Sequence, residues 1–518
     1  MKFRFSSSIH YYITLTSVLL LAVGMPLNKI MMSVGAMLGV FNLLLERDFS
    51  TYYNNLKNNK AFLWLLAFFL LHVLGLIWTS DFGYAAKDIK IKLPLLGVPL
   101  ALVARPIQKK HVQLALKLLI TSLFITSLIN FSSYYQLIGN RVYTDIREMS
   151  LFGSHIRYGI LISLGVGSSL YLIKTTSRYK FLYLIAIIWF TIYTYYSQVI
   201  SGALALIIVF TLYSLKWLFE KNKTVAYSFL GFLLIVTITL FNFLKPEKSV
   251  AIDVAKLPIK TAEGNPYSND LLNPQSENNQ PVYISICDLE LRREWNKISS
   301  MDYDDKDLKG QYIRYTIIRY LTSKNYSKDA TGINRLKKGD IENIEQGIAS
   351  VEEGKKGMIA RLYSIRYQLN NNENPNGHSL LQRFEYWKTA IKIIKENWLI
   401  GVGTGDVQDA FNQQYEKDNS VLISSNRLRA HNMYLTVFVT FGMIGFVIFM
   451  GFIFYFFKQN FSSNRFLYFV ALAVIVVTFL IEDTIETQLG VSIVSFFVAL
   501  GLQDNKEELL GSIVNVGD

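Results

Sequence analysis

The run AFLWLLAFFLLHVLGLIW, residues 61–78, decides the fold. Apart from His72 it contains only apolar residues and one glycine, and as a helix it is about 27 Å long at 1.5 Å per residue. A helix needs about this length to cross the roughly 30 Å of hydrocarbon in a bilayer. Because lipid offers no hydrogen bonds to the backbone, the run predicts a transmembrane helix.

Similar runs recur along the whole chain. Hydrophobic residues make up 51% of the 518 residues, charged residues make up 18%, and the mean hydropathy is +0.27, which is unusual for a water-soluble protein of this length. The runs do not alternate polar and apolar residues, as membrane β-strands would. We therefore predict an all-α polytopic membrane protein with about twelve transmembrane helices, near residues 9–26, 28–45, 61–78, 91–105, 113–134, 154–173, 181–197, 199–219, 224–244, 430–457, 466–482 and 487–503.

The formal net charge of +13 comes mainly from short basic clusters between the apolar runs. Every second connector is basic, as in the stretches around Lys109 and Lys174, and basic connectors stay preferentially in the cytoplasm. This places both chain ends inside and the long segment after the ninth span outside. The lysines and arginines do not form one stripe with stacking aromatic residues, so we predict no nucleic-acid partner.

The composition changes once, over residues 245–425, where polar residues replace the apolar runs. We predict three regions: 1–244 with about nine transmembrane helices, 245–425 as a large extracytoplasmic segment, and 426–518 with about three more transmembrane helices. Helical periodicity near 286–320 and 340–370 predicts a small helical subdomain in the outer segment. The single cysteine, Cys287, excludes an intrachain disulfide.

The most informative motifs lie at the end of the outer segment. They read QRFEYWKTA (382–390), ENWLIGVGTGD (396–406), RAHNMYL (429–435) and FGMIGF (441–446). The first motif predicts a helix that carries Arg383 beside the membrane. Three glycines in five residues, at 401, 403 and 405, allow close backbone approach or positive φ. The spacing does not match a nucleotide-binding loop, and no strand precedes it.

His431 lies at the mouth of the tenth span, between Arg429 and Asn432. One interpretation is an interfacial histidine that is satisfied by a backbone carbonyl. The other is a general base that takes a proton from a sugar hydroxyl, because neighbouring guanidinium groups disfavour the imidazolium form.

Arginines beside apolar spans require a partner or a function. Arg157, in SLFGSHIRYGILI (150–162), is predicted at the outer start of the sixth span, and Arg383 is also predicted outside. Arg157 either extends to the interface or converges with Arg383 on a diphosphate, whose oxygens guanidinium groups bind in pairs.

Two acidic stretches admit alternatives. Glu482, Asp483 and Glu486 follow the eleventh span and either orient Arg383 and His431, or bind an acceptor, or simply cap helix ends in water. The stretch MDYDDKDLKG (301–310) lacks the glycine and glutamate positions of an EF-hand, so a solvated loop is favoured over a calcium site.

Taken together, the four motifs resemble the signature of the O-antigen ligase and O-antigen polymerase superfamily of bacterial envelopes. The number of spans and the single large outer loop before the histidine agree with this resemblance, which covers nearly the whole chain. The segments around Arg383, the glycines and His431 are its specific part.

The resemblance implies a GT-C-type, metal-independent inverting glycosyltransferase in the bacterial inner membrane, with its active site facing the periplasm and no cofactor. The donor is a glycan on undecaprenyl diphosphate, and the acceptor is a hydroxyl of lipid A-core in a ligase. By the same resemblance, His431 is the general base and Arg383 is the second catalytic residue, with the substrate contacts assigned to Arg157, Arg429, Asn432, Gly403 and His155.

Alternatives to the ligase prediction remain at this point. A polysaccharide polymerase or a protein O-oligosaccharyltransferase would share the donor site, and a lipid-linked glycan flippase would have a similar number of spans. The sequence also departs from the superfamily at SQVISGALAL (197–206), where Gln198 or Ser201 stands in place of an expected arginine. Lys87 or Lys90 is a candidate for the missing cation.

Overall fold

The computed structural model describes residues 6–503, except 142, 144, 177, 246–251, 274, 279, 356, 371–374 and 377. The described residues form twenty α-helices and one two-stranded sheet. The first ten helices are α1 (Ser7–Leu27), α2 (Lys29–Glu46), α3 (Phe49–Leu56), α4 (Lys60–Leu74), α5 (Phe82–Ala104), α6 (Lys109–Tyr134), α7 (His155–Thr175), α8 (Lys180–Ser197), α9 (Ile200–Lys221) and α10 (Lys223–Leu244).

The remaining helices are α11 (Asp288–Ile298), α12 (Ile313–Ser323), α13 (Ala330–Ile333), α14 (Lys338–Glu345), α15 (Met358–Asn370), α16 (Ser379–Glu396), α17 (Val407–Lys417), α18 (Met433–Asn460), α19 (Phe466–Thr478) and α20 (Gln488–Leu502). Strands β1 (Ser276–Glu277) and β2 (Gln280–Pro281) pair in antiparallel fashion, with Ser276 opposite Pro281.

The prediction of an all-α polytopic membrane protein is confirmed. Among the described residues, eight helices are long and apolar enough to cross a membrane: α1, α2, α4 with the 3-10 turn that follows it, α6, α7, α9, α10 and α18. The other four predicted spans correspond to α5, α8, α19 and α20. Of these, α19 and α20 are apolar but have only 13 and 15 residues.

The described residues gather in two compact units. The first comprises those of 1–141, 147–221 and 382–518, and the second comprises those of 142–146 and 222–381. The predicted region boundaries at 244/245 and 425/426 stay predictions. Arg383, the glycine loop and His431 all belong to the first unit.

Small and polar residues set the helix contacts of the first unit. Gly159 on α7 lies against Gly202 on α9, where an added Cβ would come within 3.1 Å of the opposite backbone. Ser163 Oγ donates a hydrogen bond to the Gly202 carbonyl at 2.8 Å. Without a hydrophobic driving force between helices in lipid, such close approach and interhelical hydrogen bonds provide the packing energy.

Helix α18 is interrupted at Gly442, where φ is +59° and ψ is −156°. The interruption removes the helical hydrogen-bond partners of nearby backbone N–H and C=O groups. The stretch 398–403 supplies replacement partners. Val402 N–H donates to Val439 O at 2.9 Å, and Met443 N–H donates to Trp398 O at 2.8 Å. A non-helical backbone is tolerated near a membrane when protein satisfies it in this way.

The second unit has its own apolar core, formed by buried residues of α11, α12, α13 and α14 and the loops between them, among them Val282, Leu291, Trp295, Ile317 and Ile344. Arg319 lies between two acids, donating to Glu277 Oε2 at 2.7 Å and to Glu353 Oε1 at 2.6 Å. Its guanidinium carbon is 3.3 Å from the centre of the Tyr367 ring. The predicted helical stretches correspond to α11, α12, α14 and α15.

Candidate active site

Helix α16 brings Arg383 to a cluster of charged residues in the first unit. Arg383 donates through one terminal guanidinium nitrogen to Glu482 Oε1 at 2.7 Å and through Nε to Ile481 O at 3.2 Å. The helix is fixed by its aromatic residues. Tyr386 OH donates to Asn426 O at 2.8 Å, and Trp387 Nε1 donates to Ala430 O at 3.0 Å.

The acidic residues lie in a turn between α19 and α20. Helix α19 ends at Thr478, and Glu482 and Asp483 are both buried in the turn that follows. The turn is tied to the start of α18, because Met433 N–H donates to Phe479 O and Asn432 Nδ2 donates to Leu480 O. The three carboxylates are therefore held in place beside the predicted site residues, and they do not cap helix ends in water.

Two more arginines contact the same turn. Arg157, in the first turn of α7, is 3.3 Å from Asp483 Oδ1 and 3.6 Å from Glu482 Oε2. Arg429 donates to Glu486 Oε2 at 2.6 Å and lies 3.8 Å from Asp483 Oδ2. All three arginines thus meet one acidic turn.

His431 is placed by an unusual backbone conformation, with φ at +46°. Its Nδ1 is buried and lies 3.4 Å from Asp483 Oδ1, and it has no hydrogen-bond partner among the described residues. The imidazole ring is 5.7 Å from the ring of Tyr386, and 28% of its side chain is exposed. His431 thus has a carboxylate beside one ring nitrogen and a partly exposed side chain, an arrangement that is compatible with a general base.

Lys92 on α5 is a further cation of the cluster, and the sequence analysis missed it. Its ammonium group lies 2.5 Å from Asp88 Oδ1 and 2.8 Å from Glu486 Oε1, and its side chain is 3% exposed. Lys87 and Lys90, which were predicted to supply the missing cation, are both exposed. The signal was present in the sequence, because Asp88 and Lys92 stand four residues apart in an apolar helix.

The pKa values of the three carboxyl groups of the turn are not all shifted in the same direction. Burial raises the pKa of Glu482, and this effect exceeds the opposing influence of Arg383 and Arg157. For Asp483, burial is outweighed by His431 and Arg429, so its pKa lies below the ordinary range. Burial likewise raises the pKa of Glu486, but Lys92 and Arg429 lower it well below the ordinary value. Asp483 and Glu486 are therefore carboxylates at neutral pH.

Three residues offer the ligand atoms that a metal ion needs. His431, Glu482 and Asp483 present such atoms within 4.8 Å of one another. Both carboxylates already face guanidinium groups, and Arg157 contacts both of them. A divalent cation would therefore have to displace these arginines or bind beside them.

The glycine loop packs against protein backbone. A Cβ at Gly405 would lie 2.1 Å from Asp81 O, and one at Gly401 would lie 2.4 Å from Thr440 O. Gly403 has φ at +97°, and its N–H donates to Thr440 O at 3.0 Å. These glycines allow the loop to approach its neighbours closely. A substrate contact at Gly403 stays a prediction, and its N–H is already engaged by Thr440.

Two other predicted residues make contacts outside the cluster. His155 contacts Ser150 Oγ through Nδ1 at 3.1 Å and Ser197 O through Nε2 at 3.0 Å. Asn432 caps α18, accepting a hydrogen bond from Leu435 N–H at 3.1 Å. Substrate contacts of both residues stay predictions. Ser201, in the stretch that departs from the superfamily, has a buried hydroxyl without a hydrogen-bond partner among the described residues.

The fold and the site define an all-α, multi-pass membrane protein in which a histidine and several arginines meet one buried acidic turn. Residues 348–450 match the protein-family model for O-antigen ligase, which confirms the resemblance to that superfamily. The match includes Arg383, the glycine loop, Arg429 and His431. It supports O-antigen ligase-type function in general and a glycosyltransferase-like enzyme. No curated protein matches the chain.

Proposed function

We propose that this protein is a metal-independent O-antigen ligase that works at the periplasmic face of the bacterial inner membrane. It transfers a glycan from undecaprenyl diphosphate to a hydroxyl of lipid A-core. The observation that carries the proposal is that His431 and Arg383 contact neighbouring residues of one turn, Asp483 and Glu482. Base and cation are thus close enough to act on the same glycosidic bond.

In the proposed reaction, His431 Nε2 accepts the proton of the acceptor hydroxyl. The acceptor oxygen forms a bond to the anomeric carbon from the side opposite the diphosphate, and the bond from that carbon to the diphosphate oxygen breaks. The diphosphate leaves with the bonding electron pair, and the configuration of the carbon is inverted. Asp483, beside Nδ1, stabilises the imidazolium that forms.

Arg383 and Arg157 stabilise the charge that develops on the leaving diphosphate. Each guanidinium has five N–H donors, so a carboxylate contact leaves donors for phosphate oxygens. Arg157 Nε is buried and has no hydrogen-bond partner among the described residues, which supports a role in anion binding. The carboxylates of the turn hold both arginines in fixed positions, and such preorganised charge is most effective in a partly dry site.

Arg429 and Lys92 have a less direct role in the proposed reaction. Both contact Glu486, and Arg429 also approaches Asp483 Oδ2, whereas Arg157 contacts Oδ1 of the same carboxylate. They fix the acidic turn, on which the positions of His431 and Arg383 depend. The family match points to lipid-linked glycan substrates in general.

The proposal is tested in the bacterium that carries this gene. Deletion should leave lipopolysaccharide as bare core and cause lipid-linked chains to accumulate. The wild-type gene and His111→Ala, whose histidine contacts Tyr11 on α1, should restore long chains, whereas His431→Ala and Arg383→Ala should not. Core that carries one repeat would instead indicate a polymerase, and unchanged lipopolysaccharide would contradict both activities.

A further inference from the structure

A cavity of about 600 Å³ lies in the first unit, at the ends of α7 and α9 and the start of α19. Its volume is within the range of roughly 300–1,000 Å³ that is usual for small-molecule sites. Its lining includes three lysines, Lys109, Lys174 and Lys216, and five large aromatic residues, Tyr171, Phe210, Tyr213, Trp217 and Phe466.

The cavity lies at the opposite end of the helices from the acidic turn. On α7, Arg157 and Lys174 are 17 residues apart, which corresponds to about 25 Å along a helix. Helix α19 likewise begins at Phe466, which lines the cavity, and ends at Thr478, just before the acidic turn. The basic connectors around Lys109 and Lys174 predict that this end faces the cytoplasm.

The lysines make the cavity electropositive. Glu220 is the one acidic residue in its lining, so the lining carries three positive charges and one negative charge. Lys216 is half-buried, and its ammonium group lies 4.2 Å from the centre of the Phe466 ring. Lys174 and Lys109 are exposed at the mouth of the cavity.

Aromatic residues place the cavity at the depth of lipid headgroups. Trp217 is 60% exposed near the end of the apolar helix α9, as is typical of the aromatic belt at a membrane interface. Tyr213 donates to Gly167 O at 3.0 Å and packs edge-to-face on Phe466 at 5.2 Å, which fixes the inner wall. An occupant would thus have an apolar part along the helices and an anionic part between the lysines.

We propose that this cavity binds the phosphate headgroup of an anionic glycerophospholipid from the cytoplasmic leaflet. Basic pockets between transmembrane helices on this side of a membrane are suited to such headgroups. The site is separate from the acidic turn and does not depend on glycan transfer.

The test uses the purified full-length chain titrated with phosphatidylglycerol or phosphatidylcholine in mixed micelles, with bound lipid counted by native mass spectrometry. Wild-type protein should retain phosphatidylglycerol in preference to phosphatidylcholine. The double variant Lys174→Gln/Lys216→Gln should bind it about 25-fold more weakly, because each lysine near a membrane surface contributes roughly fivefold.

Two further variants test whether the lipid binds in the cavity or is attracted by general surface charge. The control Lys57→Gln/Lys60→Gln removes two exposed lysines from the same predicted side, away from the cavity, and should bind like wild type. Ser214→Phe fills the cavity without a change in charge and should also weaken binding. Equal losses in both lysine variants, or no loss with Ser214→Phe, would overturn the proposal.

A competition experiment tests whether the cavity binds a lipid or a soluble phosphate. Excess glycerol 3-phosphate and inorganic phosphate should fail to displace phosphatidylglycerol, because neither has the acyl chains that lie along the helices. Displacement by either at equal concentration would mean a site for a soluble anion, and would contradict the lipid assignment.

Discussion

The charged residues of the acidic turn stabilise one another only as a set. A single buried charge is costly, whereas a charge with hydrogen-bonded partners of opposite sign is tolerated. Asp483 has Arg157 and Arg429 on two sides, and Glu486 has Lys92 and Arg429. Loss of one member therefore leaves a buried partner with only part of its compensating charge.

Lys92 gives the clearest test of this dependence. Lys92→Met keeps a side chain of similar length but leaves Asp88 without its cation and Glu486 with Arg429 alone, and should lower the free energy of unfolding by about 3–5 kcal/mol. Lys90→Met, at an exposed position on the same helix, should change it by no more than about 0.5 kcal/mol. Denaturant unfolding in detergent micelles measures both, and equal effects would contradict the pairing.

Acid should weaken the fold through Glu486. Its pKa lies below the ordinary 4.5, so the stability it contributes is complete above about pH 4.5 and is lost as pH falls through its folded-state value. Glu482 acts in the opposite sense, since its raised pKa favours the protonated form. On acidification, Glu486→Gln should lose less stability than wild type and Glu482→Gln should lose more. Parallel pH profiles of melting temperature would contradict this account.

Side-chain pairing is where the sequence was least informative. Span order and charge predicted that Arg383, Arg157 and His431 lie on one side of the membrane, and the structure brings all three to one turn. Their shared partners in the turn at 481–486 were left open, because the direction of a side chain after a helix end is not encoded in hydropathy. Lys92 was passed over for Lys87 and Lys90, since only helix packing separates a buried lysine from its exposed neighbours.

The interrupted helix α18 and the glycine loop form one hydrogen-bonded structural unit. The loop supplies hydrogen bonds to the backbone that Gly442 leaves unpaired, and glycines at both surfaces permit the contact. The sequence indicated close approach at the glycines without identifying the neighbour. The partner helix lies about forty residues further along the chain, and local patterns do not reveal such a contact.

Substitutions of the glycines where α18 meets the loop should lower the free energy of unfolding. Gly442→Ala combines a positive φ with a Cβ placed 2.3 Å from the Leu399 carbonyl carbon, and should destabilise the protein by at least about 2 kcal/mol. Gly231→Ala, on α10 with no heavy atom within 4 Å of the added Cβ, should be neutral or slightly stabilising. Thermal unfolding followed by circular dichroism compares them, and a stable Gly442→Ala protein would show that the contact is dispensable.

For the whole molecule, hydropathy was sufficient to find the apolar helices. Each predicted span corresponds to a helix, because about twenty apolar residues have few alternatives in lipid. The division into compact units was harder to foresee. It depends on which helices pack together, and α10 groups with the second unit although it is as apolar as the helices of the first.

We expect the core of the second unit to fold by itself. All residues of its apolar cluster lie between 282 and 351. A fragment of residues 252–355 should unfold cooperatively, as followed by the fluorescence of its single tryptophan, Trp295. Leu291→Ala, fully buried, should cost about 2–5 kcal/mol, whereas Leu289→Ala, 64% exposed on the same helix, should cost little. A non-cooperative transition would show that this core needs the rest of the chain.

Catalysis by His431 is the central claim, and transfer by the purified protein tests it most directly. Supplied with undecaprenyl-diphosphate glycan and lipid A-core, the wild type and His111→Ala should form product. His431→Ala should bind donor with unchanged affinity and transfer it at least about 100-fold more slowly, because only proton removal from the acceptor is lost. Wild-type transfer rates in His431→Ala, or movement of donor across the membrane by the wild type without any transfer, would contradict the account.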